Sequence, residues 1–581
     1  MRHPFLHSPC LAAVTILAFA LPALADPMLS SWQTGNSTKY ARIYTSTTNR
    51  TNGVSTTTWT GQTSPTYAGV HEIDYSTSWV YIRNTGLAPY VMGPWNNPNL
   101  PHNQGTSTGA YRFPRTPVIP GTKTLTGMGS IGFLVDGVSM YNTADGFSYS
   151  VSHSQDATPV AGIGAGDGIW NRDALPNEGG SFDYALNHPQ PSGQYHSHAN
   201  PIGVRYLLGD NVTYNSSTKA YSETTATTTF NHSPIVGWVN DGLPLYGPYG
   251  YDGGSTGATG IANVSGGSVL SVTVATGGSL YQSPPSVKFS GGGGSGASAT
   301  AVVTSGVVTA VNMLSSGSGY TSAPSVIIGG VRRMISGYVK RDGTYGTTNL
   351  TSTGRTTLPA WAALAQGRSA TLSSGQYGPS TTYTSGTGNN ALTYTLGHYA
   401  EDYDYLGDLG FTQGSSSTVG SYTASFDLNK YNARYCVTPE YPNGTWAYFV
   451  SIQADGNPWY PYSVGRWYYG SPTGGSTTTT VMATDGATQF FKGAASSIES
   501  WPPSSVVVAS GNVTLSWSAV EGGTYQVSAS PDLLTWTPLS PTVTATSNTA
   551  STIETGGASA NTSRFYKVTR SSLAAYDATG Y

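Results

Sequence analysis

Almost nowhere in this chain does an apolar run last long enough to make a helix. Short runs of β-branched and aromatic residues are broken every few positions by Gly, Asn, Ser or Pro. The stretch YTASFDLNKYNARYCVTPEYPNGTWAYFVSI, residues 422–452, is representative. Such punctuation predicts strands joined by turns, and Pro442-Asn443-Gly444 reads as a hairpin turn between two of them. RTTLPAWAALAQG (355–367) is one of few helical candidates, with Pro359 suited to a first helical position. The expected fold class is therefore mainly β: several domains of antiparallel sheets or sandwiches, with few short helices.

Composition narrows the function classes. Only 9% of residues are charged and the formal net charge is -3, against about 25% charged in an ordinary soluble domain. No basic patch marks a nucleic-acid binder. Arg2 followed by CLAAVTILAFALPALA and the Ala23-Leu24-Ala25 site reads as a signal peptide over residues 1–25. That predicts a secreted protein: extracellular, periplasmic or held at the cell surface. No later apolar run approaches the roughly 18 residues of a membrane span, so none is expected after cleavage. Cys10 would leave with the leader, and Cys436 then has no partner for an intrachain disulfide. Cys436 reads as a buried structural thiol, with a metal ligand or reactive thiol as the alternative.

Two breaks divide the remainder. Residues 261–330 contain no Asp, Glu or His, and Tyr281, Ser283, Pro285 and Val287 recur 39 positions later as Tyr320, Ser322, Pro324 and Val326. This reads as an inserted, paired β-repeat module. Its glycine run lacks the Lys-Ser/Thr ending of a phosphate loop. The insert separates two parts of a central domain, 26–260 and 331–500. Pro502-Pro503 then makes a stiff linker to residues 504–570, whose period-2 alternation suits a small β-sandwich. This stretch resembles fibronectin type III-like modules, with Trp517, Tyr525, Trp536 and Tyr566 expected in its core. A loose tail follows at 571–581. Gly132, Phe133, Asp136, Gly137 and Tyr141 also match Gly237, Trp238, Asp241, Gly242 and Tyr246 at an offset of 105. These are either related hairpins of one sheet or a chance similarity.

The chemistry concentrates in HPQPSGQYHSH, with His188, His196 and His198. On a strand, residues two apart share a face about 6.5–7 Å apart, a spacing at which two imidazoles can converge on one ion. His188 can fold back across the Pro-rich turn as a third ligand, and His232 offers a fourth. Neutral imidazole suits copper or zinc. The alternative is that these histidines simply hydrogen-bond to nearby backbone. GHYAEDYDYLGDLG (397–410) gathers Glu401, Asp402, Asp404 and Asp408 beside His398. It is a calcium candidate, a source of carboxylates orienting the ligating histidines, or a solvated turn. Tyr195 and Asp241 are further candidates for supporting the site.

The blocks HPQPSGQYHSHANP, HSPIVGWVNDGLPLYGPYGY and GHYAEDYDY…YFV, together with SWVYIRNTGLAPYVMGPW and FPRTP, resemble the bacterial YHYH-domain family, named for a Tyr-His-Tyr-His motif. The resemblance runs over roughly residues 30–470. Ser197 stands where the motif has its second tyrosine, which puts any role of that tyrosine in doubt here; both motif histidines are kept. The expected function is secreted metal binding through the histidine cluster. Two other functions stay open. One is a metal-dependent extracellular hydrolase or oxidase with Glu401 or Asp402 as base. The other is a matrix protein binding an extracellular polymer, a carbohydrate or the cell surface. No Gly-x-Ser-x-Gly elbow, His-Glu-x-x-His or nucleotide-binding loop is present.

Overall fold

The computed structural model describes residues 27–572 except 33–39, 64–65, 67, 97–98, 102–109, 225–229, 386–391, 478–486, 493–499, 502, 504, 519–523, 545, 547–548 and 560–562. The signal-peptide reading of residues 1–25 and residues 573–581 of the loose-tail reading lie outside the described residues; Ser571 and Ser572, read as the start of that tail, instead end the strand Phe565–Ser572. Within them the chain is mostly strand, with short helices. None of those helices is long and apolar enough to cross a membrane.

At the centre lies an eight-stranded sheet. Its strands are β1 (Gly132–Leu134), β2 (Ser139–Met140), β3 (Asn187–Pro189), β4 (Tyr195–Ser197), β5 (Ile235–Val239), β6 (Pro244–Tyr246), β7 (Ala433–Cys436) and β8 (Thr445–Phe449). They are ordered β3-β4-β2-β1-β5-β6-β8-β7. Pairing is antiparallel except at β4–β2 and β6–β8. Ile235–Val239 is buried at every position, which is why it reads as unbroken apolar sequence rather than an alternation. Phe133, Trp238, Leu245, Tyr448 and Phe449 form the middle of the core. Because β7 and β8 come from the far side of the 261–330 segment, residues before and after it share one sheet. A five-stranded sheet repeats this interleaving, with Gly475–Thr477 and Thr488–Lys492 flanking strands from residues 70–114.

The 105-residue echo is two neighbouring hairpins. Gly237 pairs with Leu134 and Trp238 with Phe133, so β1–β2 and β5–β6 lie side by side and antiparallel. Their turns are built alike. Asp136 Oδ1 accepts from Val138 N, and Asp241 Oδ1 from Leu243 N, each at 3.1 Å. Gly137 and Gly242 adopt φ of 87° and 82°, and a Cβ on Gly242 would fall 2.4 Å from Pro114 O. The left-handed conformation and the close approach both require glycine.

The two aspartates differ in what meets the second oxygen. Asp241 Oδ2 accepts from the Tyr448 hydroxyl at 2.6 Å and from Gly470 N at 2.9 Å. Asp136 Oδ2 is buried with no hydrogen-bond partner, and burial pushes that carboxyl up to about 7. A carboxyl whose pKa rises on folding binds its proton more tightly in the folded state. Its contribution is therefore complete below about pH 4 and lost as pH rises to about 7. Asp136→Asn keeps the turn acceptor and removes the titration. It is expected to flatten the fall in unfolding free energy between about pH 4 and pH 7, measured by denaturant titration. An unchanged slope would refute the assignment.

Residues 258–328 form their own six-stranded sheet. Hairpin 258–277 pairs through Thr259–Ile261 with strand 325–328, hairpin 295–318 pairs with strand 286–290, and those two short strands pair with each other. Each Tyr-x-Ser-x-Pro stretch thus lies between a hairpin and a short strand, and the two short strands pair with each other. Tyr281 and Tyr320 are both buried. Beyond residue 500, two small sheets enclose Val513, Leu515, Trp517, Tyr525 and Val568. Trp536 and Tyr566 are only half-buried. Lys567 lies over the Trp536 ring and the Tyr566 hydroxyl donates to Glu554, so these two stand at the edge of that core rather than inside it.

Local readings fare similarly. Pro442–Gly444 closes the β7–β8 hairpin, with Gly444 N donating to Tyr441 O. Helix Ala360–Gln366 forms, but Pro359, at ψ 152°, is its cap rather than its first residue. Cys436 is buried in β7 and burial raises its thiol to about 11, which makes it inert at neutral pH.

Candidate metal centre

The turn Gln190–Gln194 folds β3 back on β4, closed by Gly193 N donating to Gln190 O. The register places His188 directly opposite His196, so both imidazoles stand on one face. His198, one residue past the end of β4, turns to the same side. Ring centroids are 4.5 Å apart for His188–His196, 4.8 Å for His196–His198 and 5.6 Å for His188–His198. Strand alternation sends Tyr195 and Ser197 to the other face. There the Tyr195 hydroxyl donates to Asp183 Oδ2 at 2.6 Å and Ser197 Oγ donates to Ala199 O. The position where this chain departs from the Tyr-His-Tyr-His motif therefore faces away from the histidine cluster.

The hydrogen bonds determine the tautomers. His196 Nδ1 lies 3.0 Å from Gln194 O, and His198 Nδ1 lies 2.7 Å from Asn142 O. A carbonyl only accepts, so both Nδ1 atoms carry the hydrogen. His188 Nδ1 is 2.8 Å from Ser181 Oγ, whose own proton goes to Glu178 O; Ser181 therefore accepts from His188. All three Nε2 atoms are left with bare lone pairs directed at one another. His196 Nε2 and His198 Nε2 are 3.0 Å apart, and one candidate ligand atom from each of the three histidines lies within 4.8 Å of the others. Lone pairs held this close repel unless a cation or proton sits between them. Burial disfavours the proton: it lowers His188 to about 3, His198 to about 4, and His196 well below its ordinary value. The arrangement can hold a metal ion, and each Nδ1 already has the oxygen partner that orients a ligating imidazole.

Aromatic rings wall the cluster. Tyr141 stacks on His196 at 4.0 Å, and Phe182 lies edge-on to His188 at 4.6 Å. Glu178 occupies the remaining side. Its Oε2 is 3.4 Å from His198 Nε2 and 3.7 Å from His188 Nε2. Neither Glu178 Oε2 nor His188 Nε2 has a hydrogen-bond partner. The Glu178 side chain is 29% exposed against 5% for His188 and 3% for His198, so the cluster meets solvent at the carboxylate. Sequence reading missed Glu178. The available signal was an acid ten residues before His188 in a chain poor in charge.

Glu178 ends the short helix α1 (Ala174–Glu178), capped by Asp173 Oδ1 accepting from Leu175 N. The acidic stretch braces this helix from behind. His398 O accepts from Asp173 N and from Asn177 Nδ2, and Glu401 accepts from Asn171 N and Nδ2, both at 2.7 Å. His398 Nε2 is 2.7 Å from Asp156 Oδ2.

Other expected site residues lie elsewhere. His232 is not part of the cluster; it packs against Tyr246 and Tyr251, with Nδ1 on Ser233 O. Asp402 pairs bidentately with Arg355 at 2.7 Å. Asp404 faces Arg341 at 3.6 Å, and Asp241 serves its hairpin turn. The carboxylates of 397–410 thus disperse onto separate partners instead of forming an oxygen cage for calcium, and neither Glu401 nor Asp402 stands at the histidines as a base. Among the described residues, His188, His196 and His198 are the one group of three or more such side chains placed to share an ion.

Residues 110–306 match the family model described as YHYH protein. That span holds all three histidines and Glu178 and runs into the 258–328 sheet; it is narrower than the 30–470 over which the sequence resemblance was traced. No curated protein and no solved structure matches the chain.

Proposed function

We propose that this chain, with its YHYH match at 110–306, is a secreted metal-binding protein that holds one copper or zinc ion on His188, His196 and His198. The observation that carries the reading is the 3.0 Å approach of two Nε2 atoms whose Nδ1 hydrogens are both committed to carbonyl oxygens. Three neutral imidazole nitrogens are a borderline-soft donor set that suits zinc and copper over calcium or magnesium. Export is supported by the leader-like residues 1–25.

Elemental analysis of the purified protein tests the metal. About one copper or zinc per chain is expected, absent from a His196→Ala/His198→Ala variant. Failure to retain either ion after loading with both would return the histidines to hydrogen-bonding duty.

A further inference from the structure

We infer that Glu178 is the fourth ligand of the ion, and that its carboxylate closes the solvent-facing side of the centre. The inference rests on the three-histidine reading and extends it to a His3-Glu donor set. Metal–nitrogen bonds of about 2.0–2.1 Å at tetrahedral angles put ligand atoms roughly 3.3–3.4 Å apart. Glu178 Oε2 stands 3.4 Å from His198 Nε2 and 3.7 Å from His188 Nε2, close to that separation from both.

Glu178 Oε2 and the two imidazole nitrogens thus stand at ligand separations without hydrogen-bonding one another, and no donor serves Oε2. The backbone that carries this oxygen is held in place. The oxygen hangs from the last residue of α1, whose approach is pinned at Asn171, Asp173 and Asn177 by His398 and Glu401. Ser181 Oγ ties Glu178 O to the His188 ring. The backbone of the fourth group and the side chain of the first are thus fixed to one hydroxyl.

The charge balance agrees. A divalent ion on three neutral imidazoles carries two positive charges into a buried pocket, which is costly; one carboxylate halves that charge. The donor set favours a divalent borderline cation over copper(I), which prefers thiolate or thioether. Glu178 is more exposed than His188 or His198, which makes its side the route by which the ion would enter and leave.

Cobalt(II), whose visible bands report coordination number and donor set, tests this in the full chain. Wild type is expected to bind one cobalt with intense bands typical of four-coordination. Glu178→Gln should weaken binding by more than about 100-fold, the upper end of the loss seen when a residue merely orients a ligand, and should shift the bands. Acetate added to Glu178→Ala should recover them in part, a readout that does not depend on Glu178→Gln folding normally. Wild-type affinity and spectrum in Glu178→Gln, with no acetate effect in Glu178→Ala, would overturn the assignment of Glu178 while leaving the histidine reading intact. Failure of wild type itself to bind cobalt, zinc or copper would instead overturn the histidine reading beneath it.

Discussion

Stripping the ion with a chelator is expected to lower the thermal midpoint of the wild-type protein, and reloading with zinc or copper to restore it. An ion that binds only the folded state stabilises by RT ln(1 + [L]/Kd), about 4.1 kcal/mol at a thousandfold excess over Kd. The physical basis is local. Without the ion, the Nε2 lone pairs of His196 and His198 face each other at 3.0 Å in a buried setting, and β3, β4 and α1 lose the group that joins them. The loss should therefore appear first as opening of the Asn187–His198 hairpin, read as faster amide exchange there than in β5. His196→Ala/His198→Ala should show neither the stabilisation nor the chelator effect. Identical midpoints for stripped and loaded wild type would contradict the metal centre.

Arg355→Met should be among the most destabilising single changes, by about 3–5 kcal/mol, because it leaves one member of a buried pair without its partner. Both side chains are fully buried. The guanidinium also donates to Pro379 O, Tyr394 O and Thr395 O, so its loss takes a donor from each of these carbonyls and leaves Asp402 only the amides of Gly397 and Tyr399. A second change, Asp402→Leu, should recover much of the loss, since an apolar pair of similar volume avoids desolvating both charges. Calcium should not rescue Arg355→Met. Denaturant unfolding of the single and double variants checks this; a single variant as stable as wild type would show that the pair carries no such weight. Rescue by calcium would revive Asp402 as an oxygen ligand.

The His188–His196–His198 cluster was legible because strand periodicity is local. Residues two apart on a strand share a face, and a Pro-Gly turn of five residues between His188 and His196 leaves the chain little choice but to fold back. The mainly β architecture follows from the same short-range rules, as do the paired hairpins at 132–140 and 235–246, whose Asp-Gly turns form from neighbouring residues. Trp536 and Tyr566 were misplaced because their alternation marks a sheet face without saying whether anything covers it.

Partnerships made across the chain were beyond local reading. Asp402 meets Arg355, and Glu401 meets Asn171, 230 positions away. Concentration of acids in 397–410 says only that charge is present; whether it binds an ion, a guanidinium or a backbone amide depends on which segments the fold brings against it. Glu178 shows the converse. Its sequence signal is only an acid ten residues before His188, yet α1 carries it to the open side of the histidines because residues 398–401 hold the strand leading into that helix. Short-range periodicity determined which residues face together along one hairpin; only the tertiary structure decided which distant carboxylate faces them, because hydrogen bonds and ion pairs act over a few ångströms of space rather than a few residues of chain.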